Sequence, residues 1–101
     1  MNEKPPIRVF LTDDHQIILD GLKSLLGGAD DIIVCGEANS GQEMLDRMIV
    51  DQTEVLIIDV DMPVMGGREA VSRLKEKAPD IAIIALSMHQ ESGVVQAMKR
   101  A

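Results

Sequence analysis

Aromatic residues are almost missing: Phe10 is the one phenylalanine, and none of the 101 positions holds tryptophan or tyrosine. Because 46% of the residues are nevertheless apolar, the core has to be aliphatic, built from Leu, Ile, Val, Ala and the seven Met. Positive charge is also scarce. Ten basic residues against seventeen acidic ones give a formal net charge of −7, which argues against a nucleic-acid surface, since phosphate binding needs clustered Lys and Arg. This segment alone is not expected to grip DNA. A single cysteine, Cys35, excludes an internal disulfide. It follows Ile32, Ile33 and Val34, so a structural thiol in a reducing compartment is expected rather than a nucleophile. No apolar run approaches membrane-spanning length, and the opening Met-Asn-Glu-Lys-Pro-Pro has no apolar core of a signal peptide. A cytoplasmic protein without a membrane partner is expected.

The length suits one domain spanning 1–101. Four short apolar runs alternate with segments of helical period, the pattern of a parallel α/β sheet. Strands are expected over Ile7 to Thr12, Ile32 to Glu37, Val55 to Asp59 and Ile81 to Ser87. The last two are almost continuously apolar, as in strands covered on both faces. A first helix carries Ile17, Ile18, Gly21, Leu22, Leu25 and Leu26 on one face and ends at Gly27-Gly28. A second opens with the capping-box spacing Ser40 to Glu43 and carries Met44, Leu45, Met48 and Ile49. A third runs from about Gly67 to Ala78, before Pro79. A fourth is expected to carry Val94, Val95 and Met98.

Three of the apolar runs stop on polar residues that can do chemistry. The first ends on Asp13-Asp14, the third on Asp59, with Asp61 following, and the fourth on Ser87. In a doubly wound sheet, ligands lie beyond the carboxyl ends of the strands. If the first and third strands are neighbours, three carboxylates meet there, and like charges held that closely either raise a pKa or recruit a cation. An all-oxygen set with carboxylates, a carbonyl and water suits Mg2+. One carboxylate facing such an ion can attack phosphorus, and Asp59 is the best candidate, with the Ser87 hydroxyl offered to a phosphoryl oxygen.

Three segments, Leu11-Thr12-Asp13-Asp14-His15, Ile57 to Gly67 and Ala85 to His89, together resemble the receiver domain of two-component response regulators. His15, Gly21-Leu22 and Leu86-Ser87-Met88-His89 look most like the NarL-like (LuxR/FixJ-type) class. The resemblance implies a flavodoxin-like (CheY-like) doubly wound α/β fold with strand order 2-1-3-4. It implies phosphorylation on Asp59, direct Mg2+ ligation by Asp14 and Asp59, a water-mediated role for Asp13, a carbonyl ligand at Asp61, and Ser87 as switch hydroxyl. It also implies a sensor histidine kinase as partner and a helix-turn-helix DNA-binding domain outside this chain. Gly66 stands where many members have Asp, Asn or Ser. The family's fifth strand, with its phosphate-contacting Lys, and the fifth helix are not found, and Lys75, Lys77 and Lys99 match nothing. The domain is therefore expected to be incomplete at its C-terminus and slow to accept phosphate. Its open fourth strand is expected to favour self-association.

Plainer roles stand beside these. Asp13-Asp14 suits a helix N-cap, Asp59 and Asp61 suit a turn before Pro63, and Ser87 suits a strand-end cap. His15 and His89 are expected to be loop residues, not metal ligands, for want of a spacing motif. Two other functions compete. A phosphorylation-independent interaction module would use the open edge and the fourth helix. A phosphatase of the haloacid-dehalogenase type would use Asp59-Val60-Asp61, but leaves Asp13-Asp14 unexplained and expects Thr or Val at Pro63.

Overall fold

A computed structural model describes residues 5–59 and 67–86, and the backbone of 95–98. Four parallel strands, β1 (Ile7–Thr12), β2 (Ile32–Ala38), β3 (Val55–Asp59) and β4 (Ala82–Leu86), lie in the order β2-β1-β3-β4. This is the doubly wound order that the resemblance implied. Helices α1 (Gln16–Gly27), α2 (Gly41–Arg47) and α3 (Gly67–Lys77) connect them, and a 3-10 turn at Val50–Gln52 leads into β3.

The strands' period of two divides the core between the faces of the sheet. Val9, Leu11 and Ile57 pack with Leu19 of α1 on one side. Phe10, Leu56, Ile58 and Ile83 pack with Met44 of α2 and Ala70, Val71 and Leu74 of α3 on the other. Burial on both faces explains why β3 reads as an unbroken apolar run. The face of α1 differs from expectation. Leu19 is its buried residue, Ile18, Leu22 and Leu26 are half-buried, and Ile17 and Leu25 point outward at 79% and 77% exposure. Gly28 ends the helix with its N–H on the carbonyls of Leu25 and Leu26. For α2 the capping box is present: Ser40 Oγ accepts from the Glu43 N–H at 3.1 Å, and Glu43 Oε1 accepts from the Asn39 N–H at 2.7 Å.

The register of β2 on β1 skips one residue. Val9 faces Val34, but Phe10 faces Gly36, so Cys35 is the extra residue of a bulge. Its thiol, half-buried, donates to the Val9 carbonyl at 3.4 Å, in keeping with a structural thiol. Phe10 lies so close to Gly36 that a Cβ there would come within 2.7 Å of the ring.

One expectation is overturned. Val95–Met98, assigned above to a fourth helix, forms β5, antiparallel to β4 with Leu86 opposite Val95 and Ile83 opposite Met98; Val94 lies outside the described residues. The reason is the edge itself, because β4 presents a row of backbone donors and acceptors that need partners. A short apolar segment satisfies them better as a strand than as an isolated turn or two of helix, whose nucleation is unfavourable. β4 is therefore flanked on both sides and is not itself the open edge that self-association and the interaction-module alternative were expected to use; the sheet ends on β5. The strand in that place is antiparallel, unlike the parallel fifth strand that the resemblance implied to be missing.

Candidate functional site

Register builds the site. Thr12 of β1 lies opposite Ile58 of β3, so the next residues, Asp13 and Asp59, are neighbours at the carboxyl ends of two central strands. Alternation aims both toward the α1 face, in the same phase as Leu11 and Ile57. The Asp13 N–H still bonds to the Ala38 carbonyl at 3.1 Å, which fixes the end of β1 against β2. Both carboxylates are buried, Asp13 fully and Asp59 to 2% exposure. Asp14 is on the outer side of the turn and exposed.

The turn from β1 into α1 folds back on itself. Asp13 Oδ1 accepts the His15 N–H at 2.9 Å, an Asx turn. The same oxygen lies 2.9 Å from His15 Nδ1, which is also 3.0 Å from Asp14 Oδ1 and 4.0 Å from Asp59 Oδ2. One ligand atom from each of Asp13, Asp14, His15 and Asp59 falls within 4.8 Å of all the others. The hydrogen bond with Asp13, reinforced by the Asp14 charge, raises the His15 imidazole above its ordinary pKa, against the smaller effect of desolvation. A polar fringe surrounds the group. Asn39 Nδ2 donates to the Asp13 carbonyl at 3.4 Å, and Gln16 Nε2 donates to Asp20 Oδ1 at 2.9 Å, which lowers the Asp20 pKa. Lys23 reaches across to Glu37 at 2.6 Å.

Of the residues singled out in the sequence, Asp13, Asp14 and Asp59 are brought together. Asp61, Ser87, His89, Gly66 and Lys99 lie outside the described residues. His15, expected to be an uninvolved loop residue, is a member of the group. Its adjacency to the acidic pair was the available signal. Spacing motifs for His ligands miss it, because it arrives through a two-residue turn and not along a helix face. Asp13-Asp14 do not act as the N-cap of α1; that position is His15, whose side chain makes no capping bond.

Mg2+ is the ion that the family resemblance implies, and the donor set fits it. Asp13 Oδ2 is buried and has no hydrogen-bond partner. A charged oxygen withdrawn from water without a donor is costly, and a cation supplies what is lacking. Three carboxylates suit a hard, oxygen-seeking divalent ion.

Comparison with known proteins gives one consistent neighbourhood. Residues 9–101 match the family described as response regulator receiver domain. The transcriptional regulatory protein MctR of Rhizobium johnstonii is 40% identical over 91 residues, covering 88% of this chain and 42% of the relative. The nitrate/nitrite response regulator protein NarL of Escherichia coli is 34% identical over 102 residues, covering 99% of this chain and 47% of the relative. The chain thus spans less than half the length of these curated relatives. Among solved structures, the signal receiver domain of the response regulator NarL from Mycobacterium tuberculosis superposes with a TM-score of 0.77 at 26% identity, covering 87% of this chain and 71% of that one. The Salmonella typhimurium response regulator RcsB gives 0.76 at 27% identity, covering 84% and 44%.

Proposed function

The chain belongs to the response regulator receiver domain family, with NarL/LuxR-type regulators as its relatives, and on that premise we propose that it is a phosphoacceptor whose acceptor is Asp59. The observation that carries this is the burial of Asp59 at the end of β3 within 4.8 Å of the Asp13, Asp14 and His15 ligand atoms. A carboxylate oxygen of Asp59 attacks the phosphorus of a phosphohistidine on a sensor histidine kinase. The P–N bond breaks, its electron pair stays with the kinase imidazole, and an acyl phosphate remains on Asp59.

Asp14 and Asp59 would hold Mg2+ directly, Asp13 through water and Asp61 by its carbonyl, and Ser87 would donate its hydroxyl to a phosphoryl oxygen; Asp61 and Ser87 rest on the sequence motifs alone. The ion, when bound, neutralises charge on the transferred phosphoryl group. Burial keeps Asp59 oriented at one point, and Asn39 and the Asx turn at Asp13 hold the neighbouring carboxylates in register with it.

The output proposed is control of a helix-turn-helix DNA-binding domain outside these residues. The net charge of −7 is consistent with DNA contact made elsewhere. One relative, MctR, is a transcriptional regulatory protein by name, and RcsB has been seen on promoter DNA with a phosphate mimic. RcsB also occurs as dimers on DNA, and self-association of this chain is proposed on that ground in place of the β4 edge. A cytoplasmic location goes with the kinase partner; among the described residues no helix is long and apolar enough to cross a membrane. The phosphatase alternative has no role for Asp13 and Asp14, which lie beside Asp59.

The test is labelling with a small phosphoryl donor and Mg2+, on the 101-residue chain and on a version continued through a family-type fifth strand with its Lys. The second should take up one hydroxylamine-labile phosphate, lost in Asp59→Asn, and the first should label more slowly. Labelling that survives Asp59→Asn would sink the assignment.

A further inference from the structure

His15 occupies a place that its local role does not explain. It is the N-cap residue of α1, yet histidine is not among the residues favoured there, and its ring makes no capping bond. The ring instead turns back over the acidic pocket. A single nitrogen, Nδ1, stands 2.9 Å from Asp13 Oδ1 and 3.0 Å from Asp14 Oδ1, with Asp59 Oδ2 at 4.0 Å. Those are one oxygen from each of the three carboxylates assigned above to the ion.

Asp13 Oδ1 is doubly engaged, accepting the His15 backbone N–H as well as facing the ring. The other oxygen, Oδ2, is buried with no hydrogen-bond partner. The pocket is thus half satisfied: the ring answers the outward-facing oxygens, and the inner one is left over. A ring nitrogen bridging Asp13 and Asp14 also fixes the exposed Asp14 carboxylate in a direction that serves the ring. The side chain remains 59% exposed, so rotation about its first torsion carries it into water without disturbing the core.

Resting on the metal reading of the previous subsection, we infer that the His15 side chain is a displaceable latch on the acidic pocket: it bridges Asp13 and Asp14 when the ion is away and has to swing out before Mg2+ can use both carboxylates. The latch makes the ion's apparent affinity the product of intrinsic affinity and the fraction of time the ring is open. It sets a ring nitrogen among three clustered carboxylates, two of them buried. It also couples ion arrival to the first turn of α1, because the latch and the helix start are the same residue.

The measurement is Mg2+ binding by calorimetry on the 101-residue chain, wild type beside His15→Ala and His15→Ser, at one neutral pH and ionic strength. Serine is a good N-cap and too short to bridge both carboxylates, so it guards against a variant that fails to fold. If the ring is open between about a tenth and a third of the time, both variants should bind Mg2+ about three- to tenfold more tightly. In the wild type, Mg2+ should also move the imidazole nitrogen resonances from those of a ring hydrogen-bonded through Nδ1 to those of a free ring. Weaker binding in both variants would show that His15 supports the ion, and equal binding or unmoved ring resonances would show a bystander; either overturns the latch. Absence of Mg2+ binding in all three proteins would overturn the metal reading itself, a different result from wild type and variants binding alike.

Discussion

Replacing Asp13 by Asn should stabilise the metal-free domain and abolish its response to Mg2+. Asp13 is fully buried and its Oδ2 has no hydrogen-bond partner, so the native carboxylate carries a desolvation cost as well as repulsion from its neighbours. At a separation of no more than 4.8 Å and an effective dielectric constant of about 20, two carboxylate charges repel by at least about 3.5 kcal/mol. The amide removes that term. Its oxygen can keep the acceptor role toward the His15 N–H, and its NH2 can donate toward the remaining carboxylates. Against this stands the loss of the charged partner of His15, a small loss because the ring is largely exposed and its charge screened by water. The net expectation is about 3 kcal/mol of added stability in chelator, the repulsion removed less that small screened loss. Wild type should regain ground with Mg2+, by about 2.7 kcal/mol when the ion is at a hundred times its Kd, while the variant gains almost nothing. With no Trp or Tyr in the chain, urea unfolding is best followed by far-ultraviolet circular dichroism, with EDTA and with Mg2+. A variant less stable than wild type in EDTA, or one that keeps the full Mg2+ increment, would refute the account of Asp13 as a strained, ion-seeking carboxylate.

Gly36→Ala should cost about 1–3 kcal/mol, the usual range for overpacking, because the new methyl meets the Phe10 ring at 2.7 Å; the same change made on a Phe10→Leu background should cost clearly less, and equal costs on both backgrounds in paired urea melts would discount the clash. Gln16→Ala should raise the Asp20 pKa toward the ordinary aspartate value, since the Gln16 hydrogen bond is the main cause of its depression. Because that pKa is lowered by folding, the associated stability is present above the ordinary aspartate range and is lost as pH falls through the folded value; an NMR titration of the Asp20 carboxyl that is unmoved by the substitution would refute the cause.

The acidic trio was legible because each apolar run breaks off on its carboxylate, and a run of strand residues ending on Asp says where that Asp must lie. Whether Asp13 and Asp59 meet was not legible from periodicity, which carries no information on strand adjacency; the resemblance supplied the order, and the Thr12 to Ile58 register bears it out. The place of His15 beside the carboxylates was not legible, because it depends on a turn in which Asp13 Oδ1 accepts its N–H. Val95–Met98 escaped because apolar residues at short spacing fit helix and strand alike, and the deciding influence was the non-local demand of β4. On α1, Ile17 and Leu25 matched the helical repeat as well as Leu19 did; only the position of the sheet selects Leu19.

The bulge at Cys35 makes β2 a strand with two phases. Before it, Ile32 and Val34 belong to the α1 side of the sheet; after it, Gly36 and Ala38 stand opposite Phe10 and Thr12 on the other side, and Glu37 stands opposite Leu11, where Lys23 of α1 meets it. Removing one residue there would leave nearly the same composition and the same apolar run, yet it would turn Glu37 inward, send Gly36 and Ala38 to the wrong layer, and draw Asn39 and Ser40 away from the end of β1. The acidic pocket is therefore indexed by a count of residues in a strand that contributes none of its carboxylates, and among homologous chains a gap between 32 and 38 would signal a differently built pocket more reliably than most substitutions within it.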